Sequence, residues 1–282
     1  MNFLNNESDL QTIARRYKLM YENNEPYPNI HFEDFFNPEM LDEVLAEFDD
    51  LDKGDTLKFN TPNEVKLASK GESRFGDKTK AFIHYLNSEP FLQFLQELTG
   101  IEEVLMPDPY LEGAGCHQTK AGGFLKIHAD FNKHSLTKLD RRLNVLVYLN
   151  KDWKDEYGGH FELWDKEMTH CVKKVKPDFC TMAIFSTTDF SYHGLPNPLT
   201  CPPDRSRKSI ALYYYTNGRP SSELNSGLEE HNTLFKARRG DELDEKMKKF
   251  NQKQTTKELI KDLTPPILFR AAKKILNSDN NS

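Results

Sequence analysis

Cysteine is scarce in this chain, with four residues in 282. Cys116, Cys171, Cys180 and Cys201 lie far apart and form no CxxC pair, which argues against a disulfide framework and for reduced thiols in the cytoplasm. Long apolar runs are also missing. No stretch approaches the ~20 apolar residues that span a bilayer. Residues 1–20 carry Glu7, Asp9, Arg15 and Arg16 where a signal peptide would need an apolar segment, so none is expected. A surplus of positive charge is absent as well. With a formal charge of −6, the field of the whole molecule opposes a nucleic-acid partner, and none is expected. Internal repeats and long low-complexity segments are lacking too.

What is present is enough for a real core, with 37% apolar and 29% charged residues over a length that holds one large domain or two modest ones. Ile30-His31-Phe32 reads as a short strand. Asn37 and Pro38 then open a helix whose apolar stripe is Met40, Leu41, Val44, Leu45 and Phe48. A second helix starts after Ser88 with Pro90 near its head, and Gly100 ends it. From Tyr110 to Thr216 the pattern changes to short strands at 124–130, 143–150, 160–164, 181–186, 192–195 and 209–216. Gly122-Gly123, Gly158-Gly159, Pro196 and Pro198 separate them. Strands at this spacing predict a jelly roll, giving an α+β, mainly β class: a double-stranded β-helix (cupin-like) core with N-terminal supporting helices and a helical C-terminal tail. The expected segments are 1–108 as helical support, 109–220 as the jelly roll and 221–282 as loop and helical tail.

His128-Ala129-Asp130 is the pattern with chemistry in it. In a strand, residues two apart face the same way, so His128 and Asp130 can meet one metal ion while Ala129 turns aside. A second histidine, His193, stands at the end of a distant predicted strand. Two imidazoles and a carboxylate on one face of an ion leave its other positions open, as in non-haem Fe(II) oxygenases. The competing readings are a surface histidine beside a turn aspartate, or zinc. Arg207 weighs against both. It shares a strand face with Ser209 and Ala211, and an arginine aimed into a barrel needs an anion. A carboxylate fits its fork bidentately. Arg205 and Lys208 are its rivals for this role. His117, His134, His160 and His170 are read as surface or supporting residues.

The ordered set His128-Ala-Asp130, Tyr148 to Trp153, Gly158-Gly159, His193 and Arg207-x-Ser209 resembles the Fe(II)- and 2-oxoglutarate-dependent dioxygenases, and among them the prolyl 4-hydroxylase-like branch. The resemblance covers roughly residues 110–216, with the entry at 30–48 also similar. It implies His128, Asp130 and His193 as catalytic iron ligands and Arg207 on the distal carboxylate of 2-oxoglutarate. Tyr148 would donate to the same carboxylate and Ser209 would assist. Gln118 is placed near the iron's outer sphere. Asn144, on one face with Leu146 and Tyr148, is placed in the pocket lining. Fe(II), 2-oxoglutarate and O2 are the implied cofactors, with ascorbate as reductant. The implied reaction is hydroxylation of a C–H bond, first of a prolyl residue in a protein or peptide, with succinate and CO2 as co-products. A free amino acid, sugar or lipid precursor is the alternative substrate, and a non-catalytic jelly-roll binding module the alternative class. A last amphipathic helix over 265–276 carries Leu268, Ala272 and Ile275 against Arg270, Lys273 and Lys274. It is expected to dock on its own domain, or to meet a membrane surface or partner.

Overall fold

The structure, a computed structural model, describes residues 3–5, 9–223, 230–238, 249–250 and 252. Met1–Arg239 forms one compact unit, and Gly240–Ser282 separates as another. The helix expected over 265–276 lies outside the described residues. Among the described residues, no helix is long and apolar enough to cross a membrane.

The first unit begins with α1 (Leu10–Asn23), β1 (Asn29–Phe32) and α2 (Pro38–Ala46), then the hairpin of β2 (Leu57–Asn60) and β3 (Glu64–Ala68). Helices α3 (Asp77–Leu86) and α4 (Glu89–Thr99) follow. The remaining strands are β4 (Met106–Pro107), β5 (Gly115–Lys120), β6 (Phe124–Ala129), β7 (Asp140–Tyr148), β8 (Phe161–Trp164), β9 (Cys171–Val175), β10 (Met182–Ser186), β11 (His193–Leu195), β12 (Ser206–Thr216) and β13 (Leu234–Phe235).

Local chemistry sets the helix ends. The Asn37 side chain accepts the Glu39 N–H at 2.9 Å, and Pro38 fills the first turn where no amide is needed. Gly100 closes α4 at φ 68°, a left-handed conformation that glycine adopts without a Cβ penalty. Helix α4 buries Phe91, Phe94, Leu95 and Leu98, and its rings meet Phe35 and, through it, Phe36. Together with α1 and α3 it covers the sheet face carrying Val145, Val147, Ile184, Ile210 and Leu212.

The strands join in the order β1-β10-β7-β12-β5-β3-β6-β11-β8-β9, every pairing antiparallel, into a nearly closed barrel. This is the jelly-roll core with N-terminal helices that the strand pattern implied. Strand β7, expected as a central strand covered on both faces, is flanked by β10 and β12 and buried nearly throughout. Its inward side chains, with those of β5, β6, β11 and β12, line the barrel interior.

Candidate functional site

His128 is the inward residue near the end of β6, while Ala129 turns outward into a small apolar cluster with Ile127, Met168 and Tyr192. His193 begins β11 directly opposite His128 in the antiparallel register. Asp130 follows β6 and bridges the Nε2 atoms of the two rings, whose centres lie 4.4 Å apart. Its Oδ1 lies 3.5 Å from Nε2 of His128, and its Oδ2 lies 3.4 Å from Nε2 of His193. One ligand atom from each of the three falls within 4.8 Å of the others.

The far nitrogens of both rings are already engaged. Nδ1 of His128 donates to the Lys126 carbonyl at 2.8 Å, and Nδ1 of His193 donates to the Ser191 carbonyl at 2.9 Å. With the proton fixed on Nδ1, each Nε2 keeps its lone pair for an ion. Burial pushes the His193 imidazole down to about 3, so it stays neutral as a ligand must. Burial opposes the charge on Asp130, yet the Arg141 guanidinium beside it holds its carboxyl well below the usual range.

Two side chains of β7 fix that carboxylate. Asn144 donates from Nδ2 to Oδ2 at 2.7 Å, and Arg141 reaches the same oxygen at 3.1 Å. Arg141 also donates to Oδ1 of Asn144 from Nε and Nη2, at 3.0 and 2.7 Å. Arg141 was not among the expected site residues. Alternation counted back from Asn144 selects Arg142, but the β7–β12 register shifts between Tyr214 and Tyr215, which pair with Leu143 and Arg141. That bulge turns Arg141 inward and sends Arg142 out to Glu103 and Glu223.

Arg207 enters from β12 with Ser209 and Ala211 on the same inward face, as alternation predicts. Its Nε donates to the Gly159 carbonyl at 2.8 Å, and its guanidinium carbon lies 4.8 Å from the centre of the Tyr148 ring. The guanidinium is buried, and no carboxylate of the described residues comes within ion-pair reach of it. The Tyr148 hydroxyl beside it is buried without a hydrogen-bond partner. A buried cation lacking a counterion and an orphaned phenol together fit a dicarboxylate end, just as two imidazoles and a carboxylate fit Fe(II).

The rivals of Arg207 point elsewhere. Arg205 hydrogen-bonds the Lys151 and Asp152 carbonyls at the surface, and Lys208 lies on the opposite face of β12 near the Phe48 ring. Gln118 is corrected by the same alternation. It faces away from the barrel interior, accepting the Leu51 N–H at 2.9 Å and donating to Ser206 at 3.0 Å. Its neighbours His117 and Thr119 line the cavity instead. His134, one of the histidines read as surface or supporting residues, is buried against Asp108 at 3.2 Å. The cavity holds about 620 Å³, its mouth included, and Asn144, Ser209 and Arg207 line it together with the metal triad. Phe161 and Phe185 flank the His193 ring, at 5.5 and 4.6 Å between centres. Phe235 of β13 stands 5.5 Å from the His128 ring. Of these aromatic residues only Phe161 and Phe185 fell on strands expected from the sequence; strand β13 with Phe235, and the convergence of the three rings, were not visible there.

Residues 114–215 match the family model described as the 2OG-Fe(II) oxygenase superfamily. No curated protein matches the sequence. Among solved structures, similarity extends to a prolyl-4-hydroxylase of Pseudomonas putida, 13% identical with a TM-score of 0.50, covering 74% of this chain and 100% of that one. It extends also to a prolyl hydroxylase from Trichoplax adhaerens, solved with a hypoxia inducible factor oxygen degradation domain peptide fragment. That chain is 18% identical with a TM-score of 0.53, over 73% of this chain and 90% of the other. HygX from Streptomyces hygroscopicus, holding nickel, 2-oxoglutarate and hygromycin B, is 13% identical with a TM-score of 0.50, over 78% and 97% of the two chains.

Proposed function

We propose, on the premise that this chain carries a 2OG-Fe(II) oxygenase domain over residues 114–215 and is a 2-oxoglutarate-dependent dioxygenase, that it hydroxylates a prolyl residue of a protein or peptide. Succinate and CO2 are the co-products in this reading, ascorbate is the reductant, and the cytoplasm is the compartment. The observation that carries it is the sharing of one cavity by the His128–Asp130–His193 cluster and the unpaired Arg207 guanidinium.

The three ligands would hold Fe(II). Arg207 would take the distal carboxylate of 2-oxoglutarate in a bidentate pair, with the Tyr148 hydroxyl and Ser209 completing its hydrogen bonds. When bound, iron and 2-oxoglutarate supply the oxidative decarboxylation that activates dioxygen for attack on a C–H bond. The protein's own contribution is positional. Asn144 and Arg141 keep the Asp130 carboxylate ionised and oriented, the Lys126 and Ser191 carbonyls fix the imidazole tautomers, and Phe161 and Phe185 exclude water beside His193.

The division into supporting segment 1–108, catalytic segment 109–220 and tail 221–282 belongs to the same proposal. Support for a peptide substrate comes from the prolyl-hydroxylase-like order of motifs. The HygX structure with hygromycin B shows the same fold beside a small molecule, so the test must include both kinds. Anaerobic addition of Fe(II) and 2-oxoglutarate should give a weak visible charge-transfer band, absent in His128→Ala and Asp130→Ala. Succinate release is then screened over proline peptides, free amino acids and nucleotide sugars. Stimulation by a proline peptide with a gain of 16 mass units on the ring is the expected result. Lack of the band would refute the metal and co-substrate assignment, and stimulation by small molecules alone would refute the peptide substrate.

A further inference from the structure

His117 lies on β5 opposite Ser209 of β12 and lines the same cavity as Arg207 and the metal triad. Its ring is held at one nitrogen. Nε2 donates to the Gly113 carbonyl at 3.0 Å, and the same carbonyl accepts the Tyr213 hydroxyl at 2.8 Å. A carbonyl can only accept, so the proton is fixed on Nε2 and Nδ1 is left as a bare acceptor. Nδ1 has no hydrogen-bond partner among the described residues. Burial pushes the imidazole down to about 3, and Lys66, Arg207 and Arg141 add to this, while the bond to Gly113 opposes it. The ring therefore cannot readily gain a second proton to meet an anion. Apart from the Thr119 hydroxyl, every other polar side chain lining the cavity has a partner or an assignment: Asp130 and the two histidines at the metal, Asn144 on Asp130, Tyr213 on Gly113, Arg207 and Ser209 at the co-substrate end, and Lys66 paired with Glu64 at 3.2 Å.

We infer that His117 is a substrate-binding residue whose Nδ1 accepts a hydrogen bond from an N–H or O–H group of the primary substrate. The inference rests on the dioxygenase reading above and names what that substrate must carry: a polar hydrogen near the oxidised carbon. A carboxylate or phosphate at this point would face the Nδ1 lone pair and be rejected. In a prolyl peptide, the amide N–H of the residue after proline meets the requirement. In a free amino acid the ammonium group does so, and in a sugar a hydroxyl. The acceptor is open to the cavity, where water meets it until substrate enters; an analogue that displaces this water without bringing a donor leaves Nδ1 unpaired and is penalised.

The test has two arms on the full chain. In the first, ¹⁵N-histidine NMR of the protein without substrate reports the protonation of the His117 nitrogens. A bare Nδ1 and a protonated Nε2 are expected, and a proton on Nδ1 overturns the inference. In the second, calorimetry under anaerobic conditions with Fe(II) and 2-oxoglutarate measures binding of N-acetyl-prolyl-glycinamide and of its counterpart methylated on the glycine nitrogen. Free proline and N,N-dimethylproline form the parallel pair for an ammonium donor. Methylation within either pair should weaken binding roughly tenfold, the worth of one hydrogen bond of about 1.4 kcal/mol. His117→Phe should weaken the parent by a similar factor and be insensitive to methylation, while its Kd for 2-oxoglutarate, read from the absorption band, stays within about twofold. Equal binding of both members of each pair to the wild type, or absence of binding by any probe, overturns the inference. So does a His117→Phe that loses 2-oxoglutarate instead. The methylated probes on wild-type protein keep the question open to refutation should His117→Phe fail to fold. A missing charge-transfer band, in contrast, signals failure of the underlying dioxygenase reading.

Discussion

Arg141 reaches the Asp130 carboxylate at 3.1 Å while its guanidinium lies 3.4 Å from the centre of the Tyr213 ring. The arginine is 1% exposed, so the ion pair, the Asn144 bonds and the ring contact replace its hydration entirely. This makes Arg141 the group that lets a buried aspartate remain a metal-ready anion.

Arg141→Met keeps much of the side-chain volume and removes the charge. It leaves Asp130 with Asn144 and two histidines that repay burial poorly without an ion. Breaking such a buried pair costs roughly 3–5 kcal/mol, and loss of a group that orients a ligand typically costs 10–100-fold in metal affinity. Thermal unfolding of the metal-free protein and Fe(II) titration should show both losses. A variant that unfolds normally and binds Fe(II) as tightly as the wild type would remove Arg141 from the site.

Arg207→Ala removes a charge-assisted bidentate contact worth roughly 1.5–3 kcal/mol, so the Kd for 2-oxoglutarate should rise by about one to two orders of magnitude. Arg205→Ala and Lys208→Ala, whose side chains lie outside the cavity, should leave it unchanged. Titration of the anaerobic absorption band with 2-oxoglutarate decides between them.

Much of this site was legible because it follows the period of two. His128 with Asp130, Arg207 with Ser209, and Asn144 with Leu146 all share faces as the spacing requires. The helices at 38–46 and 89–99 were legible through Asn37, Pro38 and Gly100, each with a local reason to start or stop a helix. Where the period of two breaks, the reading fails. The bulge beside Tyr214 and Tyr215 hid Arg141, since nothing in Arg141-Arg142-Leu143 says which arginine turns inward. For Gln118 the error was one of phase, because no local signal states which of His117, Gln118 and Thr119 faces the barrel. Helix α1 buries only Leu10, Ala14 and Tyr21, too narrow a stripe to separate it from a polar segment.

Glu47 caps a helix other than its own. It accepts the Lys78 and Thr79 N–H groups of α3 at 3.1 and 2.8 Å, and the Thr79 hydroxyl at 2.8 Å. Partial burial opposes its charge, but these hydrogen bonds outweigh that and hold the carboxyl below its ordinary value of 4.5. A group depressed in the fold contributes stability that is complete above the unfolded value and is lost as pH falls through the folded one. Glu47→Gln should therefore cost about 1 kcal/mol at neutral pH. The gap to the wild type should narrow as the pH drops below 4.5. Urea denaturation of both proteins at neutral and acid pH measures this, and a gap independent of pH would assign the stabilisation to packing.

Gly159 holds Arg207 in place through its carbonyl and through the lack of a side chain. Its φ is +75°, and a Cβ there would come 2.6 Å from Leu199 Cδ2 and 3.1 Å from Arg207 Cδ. Gly159→Ala therefore meets two penalties. The left-handed backbone costs an L-residue roughly 1–2 kcal/mol, and the added methyl must push the stem of Arg207 away from the carbonyl that anchors Nε. The neighbouring Gly158, at φ +68°, has open space where its Cβ would go, so Gly158→Ala carries only the backbone penalty. Both variants should melt earlier than the wild type, Gly159→Ala by at least as much because of the added contact with Leu199. Gly159→Ala alone should also weaken 2-oxoglutarate, several-fold in Kd from the anaerobic absorption titration. Equal co-substrate affinity in the two variants would show that the guanidinium does not depend on this turn for its position.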